Sequence, residues 1–200
     1  MKRAFFALSA LLLVVGCSDD KAGKNVSPEA VDLGLPSGTL WASFNVGATA
    51  PEQYGDYYAW GEIEVKSEYS ESLATNNITV VDFSGDATYD VAAAKWGNDW
   101  RMPTKEEFEE LIRECEYSIE TVNGVAGHKF VGPNGNSIFL PSQGYKYDTE
   151  LAREGEFTSY WSSTRGSKNG YGIVNRNIDN IEITGSERYY GKPVRPVKSK

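Results

Sequence analysis

The chain has 200 residues, with 28 acidic against 20 basic side chains, 12% aromatic residues and two cysteines. A net charge of −8, with no Lys/Arg cluster longer than a pair before Lys198-Ser199-Lys200, argues against a phosphate-binding surface, so nucleic acid is not an expected partner. Cysteines at 17 and 115 alone cannot make a disulfide framework, and packing must supply the stability.

The first sixteen residues read as a secretory leader: Lys2 and Arg3 form a positive start and Ala4 to Val15 an apolar run. That run is shorter than the roughly 20 residues of an ordinary membrane-spanning helix. Val14-Val15-Gly16-Cys17 resembles the lipobox of bacterial lipoproteins, with Val where Leu is usual. The resemblance implies cleavage before Cys17 and its acylation, giving a protein partnered with the membrane through a lipid anchor. With Lys2 and Arg3 gone, 18 of the 20 basic side chains face 28 acidic ones, a net −10. Residues 17–29 are the acylated cysteine and a polar tether without periodicity. Ser18-Asp19-Asp20-Lys21 resembles the surface-export signal of Bacteroidetes lipoproteins, which implies an outer-membrane, surface-exposed location.

The folded part spans 30–198. Pro36-Ser37-Gly38 marks a turn, and Leu40, Ala42 and Phe44 alternate with Trp41 and Ser43 as in a strand. Gly55 to Glu62 is a second aromatic stretch, and Glu64 to Asn77 reads as an irregular surface excursion. A first helix is expected from about Thr88 to Trp96, started by Asp86 or Thr88 and closed by Gly97. A second begins at Thr104, where Thr104 and Glu107 have capping-box spacing, and ends near Glu116. Phe108, Leu111, Ile112 and Cys115 form its apolar stripe, and the glutamates at 106, 107, 109 and 110 its wet face apart from the cap. His128 to Val131 and Ser137 to Leu140 read as strands joined at Asn134-Gly135. Pro141 to Glu156 reads as a long loop. Phe157 to Ser163, Tyr171 to Ile178, Ile181 to Thr184 and Val194 to Val197 read as strands of an antiparallel sheet. A strand, two helices and many strands predict an α+β domain.

Val31-Asp32-Leu33-Gly34-Leu35-Pro36-Ser37-Gly38-Thr39-Leu40-Trp41-Ala42, Tyr58-Ala59-Trp60-Gly61-Glu62, Trp100-Arg101-Met102-Pro103-Thr104, Tyr160-Trp161-Ser162-Ser163 and Val194-Arg195-Pro196-Val197 together resemble the Fibrobacter succinogenes major paralogous domain. These modules are widespread in Bacteroidetes surface lipoproteins. The resemblance implies a C-type-lectin-like fold related to that of the formylglycine-generating enzyme, with paired terminal strands and two helices flanking short antiparallel sheets. Family members often carry a cysteine where this chain has Phe44, and the resemblance implies that Phe44 faces Cys115.

No catalytic residue is expected. The late cysteine pair of formylglycine-generating enzymes is missing, and Cys115 and His128, conceivable as a nucleophile pair, read as core and as a satisfied or solvated strand residue. No metal or cofactor is expected. The sugar-specificity motifs of calcium-dependent lectins are absent, and Asn98-Asp99 beside Trp100 offers too few oxygens for calcium. Trp41, Trp60, Trp96, Trp100 and Trp161 are expected in the core. Tyr145, Tyr147, Arg153 and Arg176 are the candidate ligand contacts, because loops on a rigid scaffold commonly carry function. The expected function is non-catalytic binding or adhesion to a glycan or a protein. An envelope assembly role and, more weakly, a degenerate formylglycine-generating-type enzyme are the alternatives.

Overall fold

The computed structural model describes residues 27–74, 78–97, 99–177 and 180–200, with the side chains of 176 and 177 left out. The leader and Cys17 lie outside the described residues. The described residues form an α+β domain of short antiparallel sheets and two α-helices. Strand β1 (Ala30–Asp32) pairs with β2 (Leu40–Ala42), and the last strand of the chain pairs with β2 on its other side. The two ends of the domain therefore meet in one sheet.

Helix α1 (Val91–Trp96) starts three residues later than the expected Thr88. Its cap is Asp90, which accepts from the Ala92 and Ala93 amides, whereas Asp86 closes a turn through the Thr88 amide. Asp90 also accepts from Gly85 and Met102, so one buried carboxylate ties α1 to the loops before and after it. Helix α2 (Lys105–Glu114) has the expected capping box at Thr104 and Glu107. Arg101 grips Glu107 from its two Nη atoms at 2.7 and 2.6 Å, and Thr39 donates to it at 3.1 Å. Desolvation, the largest single influence, raises the Glu107 pKa, but the Arg101 hydrogen bonds and charge, the Thr104 amide and the Thr39 hydroxyl together outweigh it and hold the carboxyl below its ordinary range. Glu107 therefore contributes stability above that range, and the contribution is lost as pH falls through its lowered pKa.

The expected wet face of α2 is wrong at one position. Glu110 is buried, accepting from the Ser37 amide at 2.9 Å and from the Ser37 hydroxyl, because the Pro36-Gly38 turn folds over that side of the helix. Phe108, Leu111 and Cys115 are buried with Trp41, Phe130 and Leu140 in the larger core cluster. Burying each large apolar side chain is worth about 1.5–3 kcal/mol, so docking outweighs the cap, worth about 1 kcal/mol.

The chain turns directly from α2 into β3 (Glu116–Val122), which the sequence reading missed. β3 pairs with β4 (Val125–Val131) through Asn123-Gly124, both with positive φ, the geometry of a two-residue hairpin turn. β4 pairs with β5 (Ser137–Pro141) across the Asn134-Gly135 turn. The expected loop from 141 to 156 contains a further hairpin, β6 (Tyr145–Tyr147) with β7 (Glu150–Ala152). β8 (Ser159–Arg165), β9 (Gly170–Asn177) and β10 (Asn180–Ser186) form one three-stranded sheet, and β11 (Val197–Lys198) is the strand that returns to β2. The expected strand over Val194 to Val197 is thus only its last residue plus Lys198.

Trp41, Trp60, Trp100 and Trp161 are buried, and Trp96 is half-buried against the second core cluster. Phe44 is buried but does not join the cluster around Cys115. Its ring packs edge-on against Trp96 at 5.8 Å, because Trp41 takes the side of the strand that faces α2. The expected Phe44–Cys115 contact is therefore replaced by a Trp41–Phe108 contact at 5.2 Å.

Candidate functional site

Alternation along β6 sets the site. Tyr145 and Tyr147 share one side of the strand, and Lys146 points to the other, its Nζ 5.2 Å from the Tyr57 ring centre and 5.8 Å from that of Tyr69. The segment after β10 then lies beside β6: Lys146 and Gly191 exchange backbone hydrogen bonds at 2.7 and 3.0 Å. Gly191 is required by this approach. A Cβ there would stand 2.7 Å from the buried Tyr69 ring.

That pairing delivers Tyr189 and Tyr190 to the two tyrosines of β6. Tyr190 packs on Tyr145 at 5.2 Å and edge-on to Tyr147 at 5.6 Å, and Tyr189 lies 6.2 Å from Tyr147 and 5.0 Å from Tyr190. Tyr147 remains exposed. Burial, then the neighbouring Tyr189 and Tyr145, pushes the Tyr190 hydroxyl up to about 12. It is therefore a neutral hydroxyl at physiological pH, able to donate and to accept.

Beside this ridge opens a cleft of about 400 Å³ lined by Tyr145, Arg153, Phe157, Thr184, Tyr190 and Lys192. Arg153 stands over the Phe157 ring at 5.7 Å and pairs with Glu156 at 3.0 Å, both ends well exposed, so the pair adds little stability. Lys192 is 2% exposed. Its backbone pairs with Tyr58, while its Nζ reaches Ser186 Oγ at 2.6 Å and stands 4.2 Å from the Trp161 ring centre. Desolvation alone pulls its pKa down to about 7.

Of the four residues expected to contact a ligand, Tyr145 and Arg153 line the cleft and Tyr147 extends the ridge from it. Arg176 has its backbone in β9, and its side chain lies outside the described residues. Sequence reading missed Tyr189, Tyr190 and Lys192. The signal present was Tyr189-Tyr190-Gly191-Lys192-Pro193, an aromatic pair against a glycine, whose pairing with β6 some 45 residues earlier no local pattern reveals.

His128 is buried and satisfied, its Nδ1 2.9 Å from Thr158 Oγ1. Burial, then Glu114 and Glu110, pushes the buried Cys115 thiol up to about 11, which suppresses the reactive thiolate. The two do not form a nucleophile pair: Cys115 follows α2 and His128 bonds toward β8. Asp99 is exposed in a positive-φ turn, and Asn98 lies outside the described residues. Among the described residues no group of three or more His, Cys, Asp or Glu side chains is arranged to hold a metal ion, and no helix is long and apolar enough to cross a membrane.

Comparison with family models, with curated proteins and with solved structures finds no match for this chain.

Proposed function

We propose that this chain is a non-catalytic binding module, held by an acylated Cys17 at the outer-membrane surface, whose cleft takes a glycan. We also propose that its domain has the C-type-lectin-like fold that its motifs imply. The shared sheet of β1, β2 and β11 and the two helices agree with that fold. The observation that carries the binding reading is the ridge of Tyr145, Tyr147, Tyr189 and Tyr190 beside a concave cleft. Ring faces with hydroxyl edges suit sugars, which present apolar C–H faces and polar rims.

A glycan is favoured over a protein ligand because the cleft is small, about 400 Å³, and part polar, whereas protein partners need a broad contact of roughly 800 Å² a side. The assembly alternative has one observation of its own. Val65, Leu73, Val80 and Val81 are large exposed apolar residues, and all lie in the excursion between β2 and α1.

A glycan array probed with the full chain in detergent tests the binding reading. Specific glycan signals are expected, with Tyr190→Ala weakening them about tenfold or more, the usual cost of truncating a central aromatic anchor. Signals indifferent to Tyr190→Ala would move the site elsewhere. The anchor is tested separately: Cys17→Ala should shift the protein from the membrane to the soluble fraction, and retention in the membrane would contradict acylation.

A further inference from the structure

Among the described residues, no carboxylate pairs with the one buried cation of the cleft. The Lys192 ammonium has three donors. One meets Ser186 Oγ, and the Trp161 ring face takes part of the charge. Arg153, the other cation on this cleft, is exposed to solvent and already pairs with Glu156, so its charge is not a buried one.

The same arrangement recurs across the tyrosine ridge. Arg188 is 7% exposed, its guanidinium stands 4.6 Å over the Trp60 ring, and its Nε has no hydrogen-bond partner among the described residues. It lines a second cleft of about 350 Å³ with Ser167, Lys168 and Tyr189, where Glu71 and Glu187 also stand. Desolvation, with Arg165 adding repulsion, lowers its pKa as well. Tyr190 thus borders one cleft and Tyr189 the other, each with a buried cation that forms no salt bridge with a carboxylate among the described residues.

We propose that the ligand is an acidic oligosaccharide, with a sugar ring against Tyr145 and Tyr190 and a singly charged acid group, carboxylate or sulfate ester, at Lys192. This rests on the reading of the cleft as a glycan site. A buried ammonium has already lost its water, so an arriving anion meets it without that cost and restores local neutrality, while a neutral sugar leaves the charge uncompensated. The chain's net charge of −8 opposes an acidic ligand at long range. Salt screens that repulsion within about 8–10 Å, and the buried contact is screened far less. The short-range term therefore wins at the site.

The test is calorimetric titration at pH 6, where Lys192 carries its proton, of the full chain in detergent with three probes: a galacturonic acid trimer, a sulfated galactose trimer and the uncharged galactose trimer. One acidic trimer is expected to bind at least about tenfold more tightly than the neutral one, as a charge-assisted hydrogen bond implies. The acid that does so names the group. Lys192→Met should abolish that preference, Tyr190→Ala should weaken acidic and neutral trimers alike, and Lys129→Met, on β4, should leave the preference intact. Equal affinity for all three trimers overturns the acidic ligand and leaves the glycan reading standing. A preference that survives Lys192→Met overturns the assignment to Lys192. Failure of every trimer to bind overturns both readings.

Discussion

Replacing Lys192 with Met is expected to stabilise the fold, by about 1–4 kcal/mol at pH 6, the range found when buried ion pairs give way to apolar side chains of similar volume and a fair scale for a buried charge that no carboxylate offsets. The ammonium is desolvated, and around it stand Ser186 of β10, the Trp161 ring of β8 and the Tyr58 backbone, with no charge among the causes that shift it. A cation–aromatic contact and one hydrogen bond offset part of the cost of burial, about 2 kcal/mol and about 1.5–3 kcal/mol in favourable cases. The remainder is the penalty that Met removes.

The pH dependence has a definite sign. The folded-state pKa is lowered to about 7, against an ordinary value near 10.5. Below pH 7 both folded and unfolded chains carry the proton, and the penalty is felt in full. Between the two values the unfolded chain binds more protons, so the stability of the native protein rises with pH through this group. The advantage of Lys192→Met should accordingly shrink from pH 6 to pH 10. Urea denaturation at pH 6, 8 and 9.5 measures it. A variant less stable than the parent at pH 6 would show that the ammonium is better compensated than its surroundings allow.

Arg195→Ala is expected to do the opposite, costing about 3 kcal/mol or more through the buried acceptors it leaves without a donor. Arg195 is also fully buried, and desolvation lowers its pKa to about 10, which still leaves it charged at neutral pH. The difference lies in its partners. Its Nε donates to Asn45 Oδ1 at 2.7 Å, one Nη to the Ala42 and Ser43 carbonyls at 3.2 and 3.4 Å, and the other to the Phe139 carbonyl at 2.9 Å. Asn45 in turn donates to the Tyr54 carbonyl at 2.8 Å and to the Tyr160 hydroxyl at 3.2 Å. One side chain near the end of the domain thus fastens β2 near its start and β5 in its middle. Removing it takes the Arg195 donor from these four acceptors, and a buried acceptor left unsatisfied costs about 1–3 kcal/mol. Arg195→Lys should recover little, since one ammonium cannot span three directions that a planar fork reaches. A midpoint shift under 1 kcal/mol for Arg195→Ala in the same denaturation assay would contradict this account.

Much of the scaffold was legible in the residues. The Thr104–Glu107 box, the Phe108/Leu111/Cys115 stripe and the Asn134-Gly135 turn are local signals, and each lies where it was read. β3 was missed although Asn123-Gly124 is the same turn signal, because Glu116 to Val122 alternates with one face wet and lacks the apolar content that marks a core strand. The hairpin inside 141–156 was missed for a related reason: three-residue strands are too short for a period to show.

The site was half legible. Tyr145, Tyr147 and Arg153 could be chosen as polar-aromatic residues of a connecting segment. Their partners could not, because the Lys146–Gly191 pairing closes a separation of 45 residues by backbone hydrogen bonds that carry no side-chain signature. By itself the sequence determined what depends on neighbours along the chain: the caps, the apolar stripe of α2, the glycine turns and the α+β class. Only the tertiary structure decided which charges lose their water. Glu110, Lys192 and Arg195 look alike in composition. Burial sets them apart, with Ser37 completing the first, four acceptors completing the third, and the second left on the cleft of Tyr145 and Tyr190 with no carboxylate partner among the described residues.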